Sequence, residues 1–366
     1  MCGAEAGRKG LTSPLPSLLR DLRSSRAGVS GGDGALEFIP GYRVVGLISQ
    51  GGMGLVYRAI QRSLDRPVAL KVLHPHLSQD AEFVARFRQE AHLGALLDHP
   101  NLVRVYDAGE LSGHLYYSME LIESCDLGVL LELRGRLQGR FAARLVIQVA
   151  SALEAAHAAS VLHGDVKPAN ILLSPEGRVK LVDLGLARLT GQPDCTATRE
   201  GTIVGTPNYM SPEQIDGLGD LTERSDIYML GATLLHLVSG EPPFGQGLPE
   251  QIFTRVVRGG PAIPGGLHPG LKAIITRCME RDPDSRYPSA SALRAALSAH
   301  LQERESPGRR RDSGWLPGTG PRGAPWRVQA AARAAPERAS PDRWSDLTEA
   351  MSTRRGSDQL PATAPG

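Results

Sequence analysis

No run of 18 apolar residues occurs anywhere in this chain of 366 residues, so the sequence predicts no transmembrane helix. The four cysteines, Cys2, Cys125, Cys195 and Cys278, are scattered without CxxC spacing. That excludes a disulfide framework or a zinc site and reads as free thiols in a reducing compartment. An excess of charge of one sign is also missing: 41 Lys and Arg stand against 39 Asp and Glu, so no acidic partner is demanded. The first residues lack the apolar stretch of a signal peptide, because Pro14, Pro16 and Arg20 break up the leucines. These absences predict a cytoplasmic protein. Tryptophan is scarce, and Trp315, Trp326 and Trp344 all lie near the C-terminus.

What is present is enough apolar material for a core, 41% of residues, in a length that suits one two-lobed domain or two small ones. Residues 1–38 are rich in Gly, Ser, Arg and Leu without periodicity and read as a flexible leader. From Tyr42 the pattern turns strand-like, with YRVVGLI, LVYRAI and PVALKVL separated by glycine-rich or polar turns. Residues 80–97 have helical spacing, with Phe83, Phe87, Ala91 and Leu93 or Ala95 on one side. LVRVYDAG and LYYSMELI then complete a small antiparallel sheet. After Glu123 the segments become helical: 141–159, 225–239, 267–279 and 290–301. The fold class expected is α+β, a small β-sheet lobe with one helix (about 42–122) followed by a larger, mainly α-helical lobe (about 123–301). Residues 302–366 shift to Arg, Pro, Gly, Ala and Ser and are expected to be disordered. Their 11 Arg are offset by 8 acidic residues, which argues against a nucleic-acid partner.

Chemistry concentrates between His163 and Leu173, where the chain reads HGDVKPANILL, and at Asp183 in VDLGLA. Asp165, Lys167 and Asn170 lie within one short loop, bounded by Val161-Leu162 and Ile171-Leu172-Leu173 as short strands. A carboxylate to orient a hydroxyl, a cation for a phosphate, and oxygen ligands for a divalent metal form the set that phosphoryl transfer needs. Upstream, residues 49–56 read SQGGMGLV. Glycines at 51, 52 and 54 let backbone lie close over phosphates, although a plain glycine hairpin reads the same way. Lys71 sits inside the apolar strand PVALKVL and needs a partner. Glu90 in RFRQEAHLGALL is the candidate, against the reading that it is an ordinary solvated helix residue.

Taken in order, these segments resemble a bacterial eukaryotic-like (Hanks-type) Ser/Thr protein kinase over residues 42–301, and the resemblance implies the two-lobed protein-kinase fold. It implies ATP as co-substrate, with Mg²⁺ or alternatively Mn²⁺, and proteins carrying Ser or Thr as partners. Asp165 would orient the substrate hydroxyl and take its proton, and Lys167 would stabilise the γ-phosphate. Asn170 and Asp183 would hold the metal, and Lys71 would be clamped by Glu90. Ser49, Gly51, Gly52 and Gly54 would cover the phosphates, with Val56 and Ala69 over the adenine. Met119 looks like the gatekeeper, and Glu120 to Ile122 like the hinge that hydrogen-bonds the base. GTPNYMSPE from Gly205 to Glu213 and the helix opening SDIY at Ser225 resemble the protein-substrate lobe. Within it, Glu213 would pair with Arg286, and Asp226 would brace the catalytic loop.

Three departures stand out: Ser49 where a first glycine is usual, Gly164 where an arginine precedes the catalytic aspartate, and DLG in place of DFG, with Leu184 as the plug. The sequence HGD also occurs in small-molecule phosphotransferases that resemble aminoglycoside kinases. A catalytically weak pseudokinase scaffold is the other alternative, although Lys71, Asp165 and Asp183 are all present. Gly164 removes a positive charge that a phosphate would otherwise neutralise. Dependence on phosphorylation of Thr196, Thr198 or Thr202 is therefore expected to be low, with Glu200 a fixed negative charge nearby. Residues 340–351 carry an N-cap serine, a first-turn proline and Trp344, Leu347 and Met351 on one helical face, which suggests a short helix for a docking partner.

Overall fold

A computed structural model describes residues 39–111, 113–183, 188–189, 206–217 and 221–303. The described residues open with a five-stranded antiparallel sheet: β1 (Tyr42–Gln50), β2 (Gly54–Gln61), β3 (Arg66–Leu73), β4 (Val105–Leu111) and β5 (His114–Glu120), ordered β1-β2-β3-β5-β4. α1 (Ala81–Leu96) lies between β3 and β4 in sequence. The central strand β3 is buried on both faces from Val68 to Leu73, which explains its unbroken apolar run. One face packs Tyr42, Tyr57, Val68, Leu70 and Val72 together; the other packs Leu73, Leu115 and Tyr117 beneath Phe87 and Ala91 of α1.

α1 begins where the sequence supplies a cap. The Asp80 carboxylate accepts from the amides of Glu82 at 2.9 Å and Phe83 at 3.4 Å, a cap worth about 1 kcal/mol. Phe87, Glu90, Ala91 and Leu93 form its buried face. Phe83 is only half-buried, and Leu93, not Ala95, continues the stripe.

The chain then passes through β6 (Cys125–Asp126), α2 (Leu127–Arg134), α3 (Gly139–Ala158), β7 (Val161–Leu162), β8 (Ile171–Leu173), β9 (Val179–Leu181) and β10 (Arg188–Leu189). The remaining helices are α4 (Pro212–Asp216), α5 (Glu223–Ser239), α6 (Pro249–Arg258), α7 (Pro269–Cys278) and α8 (Ala290–Glu303). α5 is buried from Ser225 to Leu235 without interruption, as a helix apolar all round must be, and it forms the axis of this part. Around it Leu145, Val149, Leu153, Leu230, Leu234, Ile275 and Leu297 share one core. Cys125 and Cys278 are free thiols inside it. No helix among the described residues is long and apolar enough to cross a membrane.

Candidate active site

Strand register gathers the small-lobe residues. Lys71 lies opposite Val56 on β2 and opposite Tyr117 on β5, and Ala69 lies opposite Met119. Residues two apart on a strand share a face, and so do directly paired residues. Val56, Ala69, Lys71, Tyr117 and Met119 therefore line one side of the sheet. Gly54 serves the sheet itself: a Cβ there would meet the Val72 carbonyl oxygen at 2.2 Å. Ser49 lies within β1, opposite Val56, and Gly51 and Gly52 form the exposed tip between the strands.

Lys71 is buried, with its ammonium 2.7 Å from Glu90 Oε1 and bonded to Asp183 Oδ1. The same Glu90 oxygen accepts the Tyr117 hydroxyl at 2.6 Å. Burial alone would lower the Lys71 pKa, but the carboxylate of Glu90, with Tyr117 and Asp183, holds it well above the usual lysine value. Burial pushes the Glu90 carboxyl up to about 7, against the pull of Lys71. Against the cost of burial, Asp183 is held below the usual carboxylate range by the Lys71 ammonium. Its backbone is left-handed, φ 71°, which aspartate tolerates better than most residues.

The residues of the loop from His163 to Asn170 converge just as closely. Asp165 Oδ2 accepts from Lys167 Nζ at 2.7 Å and from Asn170 Nδ2 at 3.0 Å. Among the described residues, no donor is set on its Oδ1. Burial raises the Asp165 pKa, with Lys167 opposing it. Lys167 also reaches Thr206 Oγ1 at 3.0 Å, which ties the loop to the segment that opens α4. The Asn170 amide nitrogen donates again, to the Asp165 carbonyl at 2.9 Å, so its amide oxygen is turned to the other side.

Asp226 of α5 sits beneath this loop. Its two oxygens accept the backbone amides of His163 at 2.9 Å and Gly164 at 2.8 Å, and His157 Nε2 lies 2.7 Å away. Burial would raise the Asp226 pKa, but the bond from His157 and these partners hold it low. Gly164 has φ 76°, the left-handed region that glycine enters freely. The Gly164 carbonyl accepts Gln214 Nε2 at 3.1 Å, and the Val166 carbonyl accepts Thr233 Oγ1 at 3.1 Å. These contacts hold the loop through its backbone and not through the Asp165 and Lys167 side chains.

At the edge of the sheet, the Glu120 amide donates to the Arg104 carbonyl at 2.9 Å, and its carboxylate pairs with Lys180 at 2.7 Å. The Ile122 carbonyl accepts Ser124 Oγ at 3.2 Å, and among the described residues its amide has no acceptor. Leu184, Thr196, Thr198, Glu200, Thr202 and residues 340–351 lie outside the described residues.

Two participants were not marked by sequence reasoning. Tyr117 was readable by counting back two from Met119 to the Lys71 face. His163 joins the two motifs: its Nδ1 accepts the Asp165 amide at 3.2 Å and its Nε2 faces the Val182 carbonyl at 3.2 Å. The neutral ring with its proton on Nε2 satisfies both contacts.

Comparison with known proteins agrees with this geometry. Residues 42–297 match the family model described as "Protein kinase domain". The chain belongs to the protein kinase family. It is 40% identical over 285 residues to the Serine/threonine-protein kinase pkn3 of Myxococcus xanthus, covering 74% of this chain and 51% of that protein. It is 38% identical over 272 residues to the Serine/threonine-protein kinase PknA of Mycobacterium tuberculosis, covering 73% of this chain and 62% of PknA. The chain therefore spans between half and two thirds of the length of these relatives.

Proposed function

We propose that this protein transfers the γ-phosphate of ATP to Ser and Thr hydroxyls of proteins, in the cytoplasm. The observation that carries the reading is the convergence of Lys167 and Asn170 on one oxygen of Asp165, with Lys71 joining Glu90 to Asp183 across the cleft. The Asn170 amide oxygen and the Asp183 carboxylate are hard oxygen donors, the type that suits Mg²⁺, with Mn²⁺ an alternative. Such an ion, when bound, neutralises charge on the phosphates.

Asp165 orients the acceptor hydroxyl through its open oxygen and takes its proton. Lys167 stabilises charge on the transferred group, and Lys71 holds the other phosphates. Glu90 keeps Lys71 in place. Ser49, Gly51, Gly52 and Gly54 lie over the phosphates, Val56 and Ala69 against the adenine, and the backbone of Glu120 and Ile122 meets its edge. The open Ile122 amide is the donor this role requires. The Lys167–Thr206 bond supports a protein over a small-molecule acceptor, because it couples the catalytic cation to the segment on which a polypeptide would lie.

The test is incubation of the purified protein with labelled ATP, magnesium and a generic protein acceptor, wild type beside Asp165→Asn. Label on Ser and Thr that the substitution abolishes supports the reading. Equal label in both, or none in either, refutes it.

A further inference from the structure

The ion pair between Lys71 and Glu90 contains a third member. Glu90 Oε1 takes two donors, the Lys71 ammonium at 2.7 Å and the Tyr117 hydroxyl at 2.6 Å, while the buried Oε2 has no hydrogen-bond partner. Both donors thus sit on one oxygen of the carboxylate, and the Asp183 side chain faces the same group. Lys71 is the poorer anchor, because its ammonium is also held by Asp183, and Tyr117 is the better one. The residue is 3% exposed, its ring packs against Phe87 with centroids 5.2 Å apart, and it belongs to the cluster of Leu73, Ala91 and Leu115. A ring so held presents its hydroxyl from a fixed point on β5, whereas Glu90 reaches in from α1 on a flexible side chain. The Lys71 ammonium also lies 5.6 Å from the Tyr117 ring centroid, within the range of a cation–π attraction.

We infer that Tyr117 is a positioning residue for phosphoryl transfer: its hydroxyl anchors Glu90, and through Glu90 it sets where the Lys71 ammonium stands against the nucleotide phosphates. The charged groups facing Glu90 are then Lys71 from β3 and Asp183 beyond β9, and among the described residues the Tyr117 phenol from β5 is the one donor to it that is not itself shared. The inference rests on the protein-kinase reading of the site.

Tyr117→Phe keeps the ring and deletes the hydroxyl. The full chain carrying it is titrated calorimetrically with ATP and, separately, with adenosine, which lacks the phosphates that Lys71 would touch. Loss of a buried hydrogen bond to a charged group predicts ATP affinity about tenfold weaker, with adenosine affinity unchanged. In a Lys71→Met background the same substitution should leave ATP affinity unaltered, since the cation it positions is gone. Steady-state kinetics should show the KM for ATP rising more than kcat falls. Equal weakening for ATP and adenosine, no weakening of either, or an effect that persists without Lys71 would each overturn the inference. If wild type transfers phosphate and Tyr117→Phe fails these tests, the role of Tyr117 alone falls. If wild type neither transfers phosphate nor favours ATP over adenosine, the reading of the site falls with it.

Discussion

Two ion pairs, one between β3 and α1 and one between α4 and the segment before α8, are built to different standards. Arg286 and Glu213 meet two-to-two, at 2.7 and 2.8 Å. The remaining Arg286 donors go to the carbonyls of Glu280, Arg224 and Arg281 at 2.8, 2.9 and 3.0 Å, so the guanidinium, 1% exposed as a residue, is fully satisfied. Burial would raise the Glu213 pKa, but Arg286 holds it below the usual range. Lys71 and Glu90 meet through one oxygen, leave the other bare, and share the cation with Asp183. There burial prevails and Glu90 rises to about 7. The complete pair has one arrangement. The incomplete pair leaves one carboxylate oxygen bare and holds a carboxyl that titrates at about 7.

Breaking each pair should separate the two roles. Arg286→Ala leaves the Glu213 carboxylate without its cation, with the Ser225 hydroxyl at 2.7 Å as its remaining side-chain donor, and is expected to cost about 3–5 kcal/mol of stability, read as a lowered urea midpoint. Lys71→Met should cut phosphotransfer by ~10²–10³ yet change stability by less than about 1 kcal/mol, because Glu90 can take up a proton in place of the lost cation. A large loss of stability in Lys71→Met would show that the two pairs do the same work.

Acid sharpens the contrast, because the two glutamates have opposite signs. Glu213 is depressed in the fold, so the stability it contributes is present above its ordinary value of 4.5 and is lost as pH falls through its lower folded value. Glu90 is raised, so the folded state binds the proton more tightly, and stability should increase as pH falls from about 7 towards 4.5. Urea unfolding without nucleotide, at steps across this range, checks both. Glu90→Gln should flatten the slope between about 7 and 4.5, and Glu213→Gln should remove the loss at lower pH. The smallest effect is expected at Gly164. Gly164→Ala forces a non-glycine residue into a left-handed position, at about 1 kcal/mol, measurable as a small fall in Tm.

The sequence exposed one side of this comparison more readily than the other. The spacing of Asp165, Lys167 and Asn170 was legible because all three project from one short loop, so their neighbourhood in sequence is their neighbourhood in space. The two-part architecture was legible because strand and helix periods differ. Tyr117 and His163 were not read, since each acts through a register or a crossing that no local pattern displays. Three helices escaped, α2, α4 and α6; α4 has only five residues. α2 is an apolar run of only eight residues, too short for period to separate helix from strand. α6 buries only Ile252 and Val256, so most of its surface reads as loop.

The saturated coordination of Arg286 also has a kinetic consequence. Its bonds to Glu213 and Arg224 bridge 73 and 62 residues of chain, while those to Glu280 and Arg281 span 6 and 5. The nearby carbonyls can be met early, but the distant partners meet the guanidinium only after α4, α5 and the segment before α8 have come together, so loop-closure entropy must be met first. The pair should form after the folding barrier is crossed. Its loss would then leave the refolding rate almost unchanged and speed unfolding, with a φ-value near zero for Arg286→Ala in stopped-flow chevrons. The arginine works as a latch against opening and contributes little to assembly.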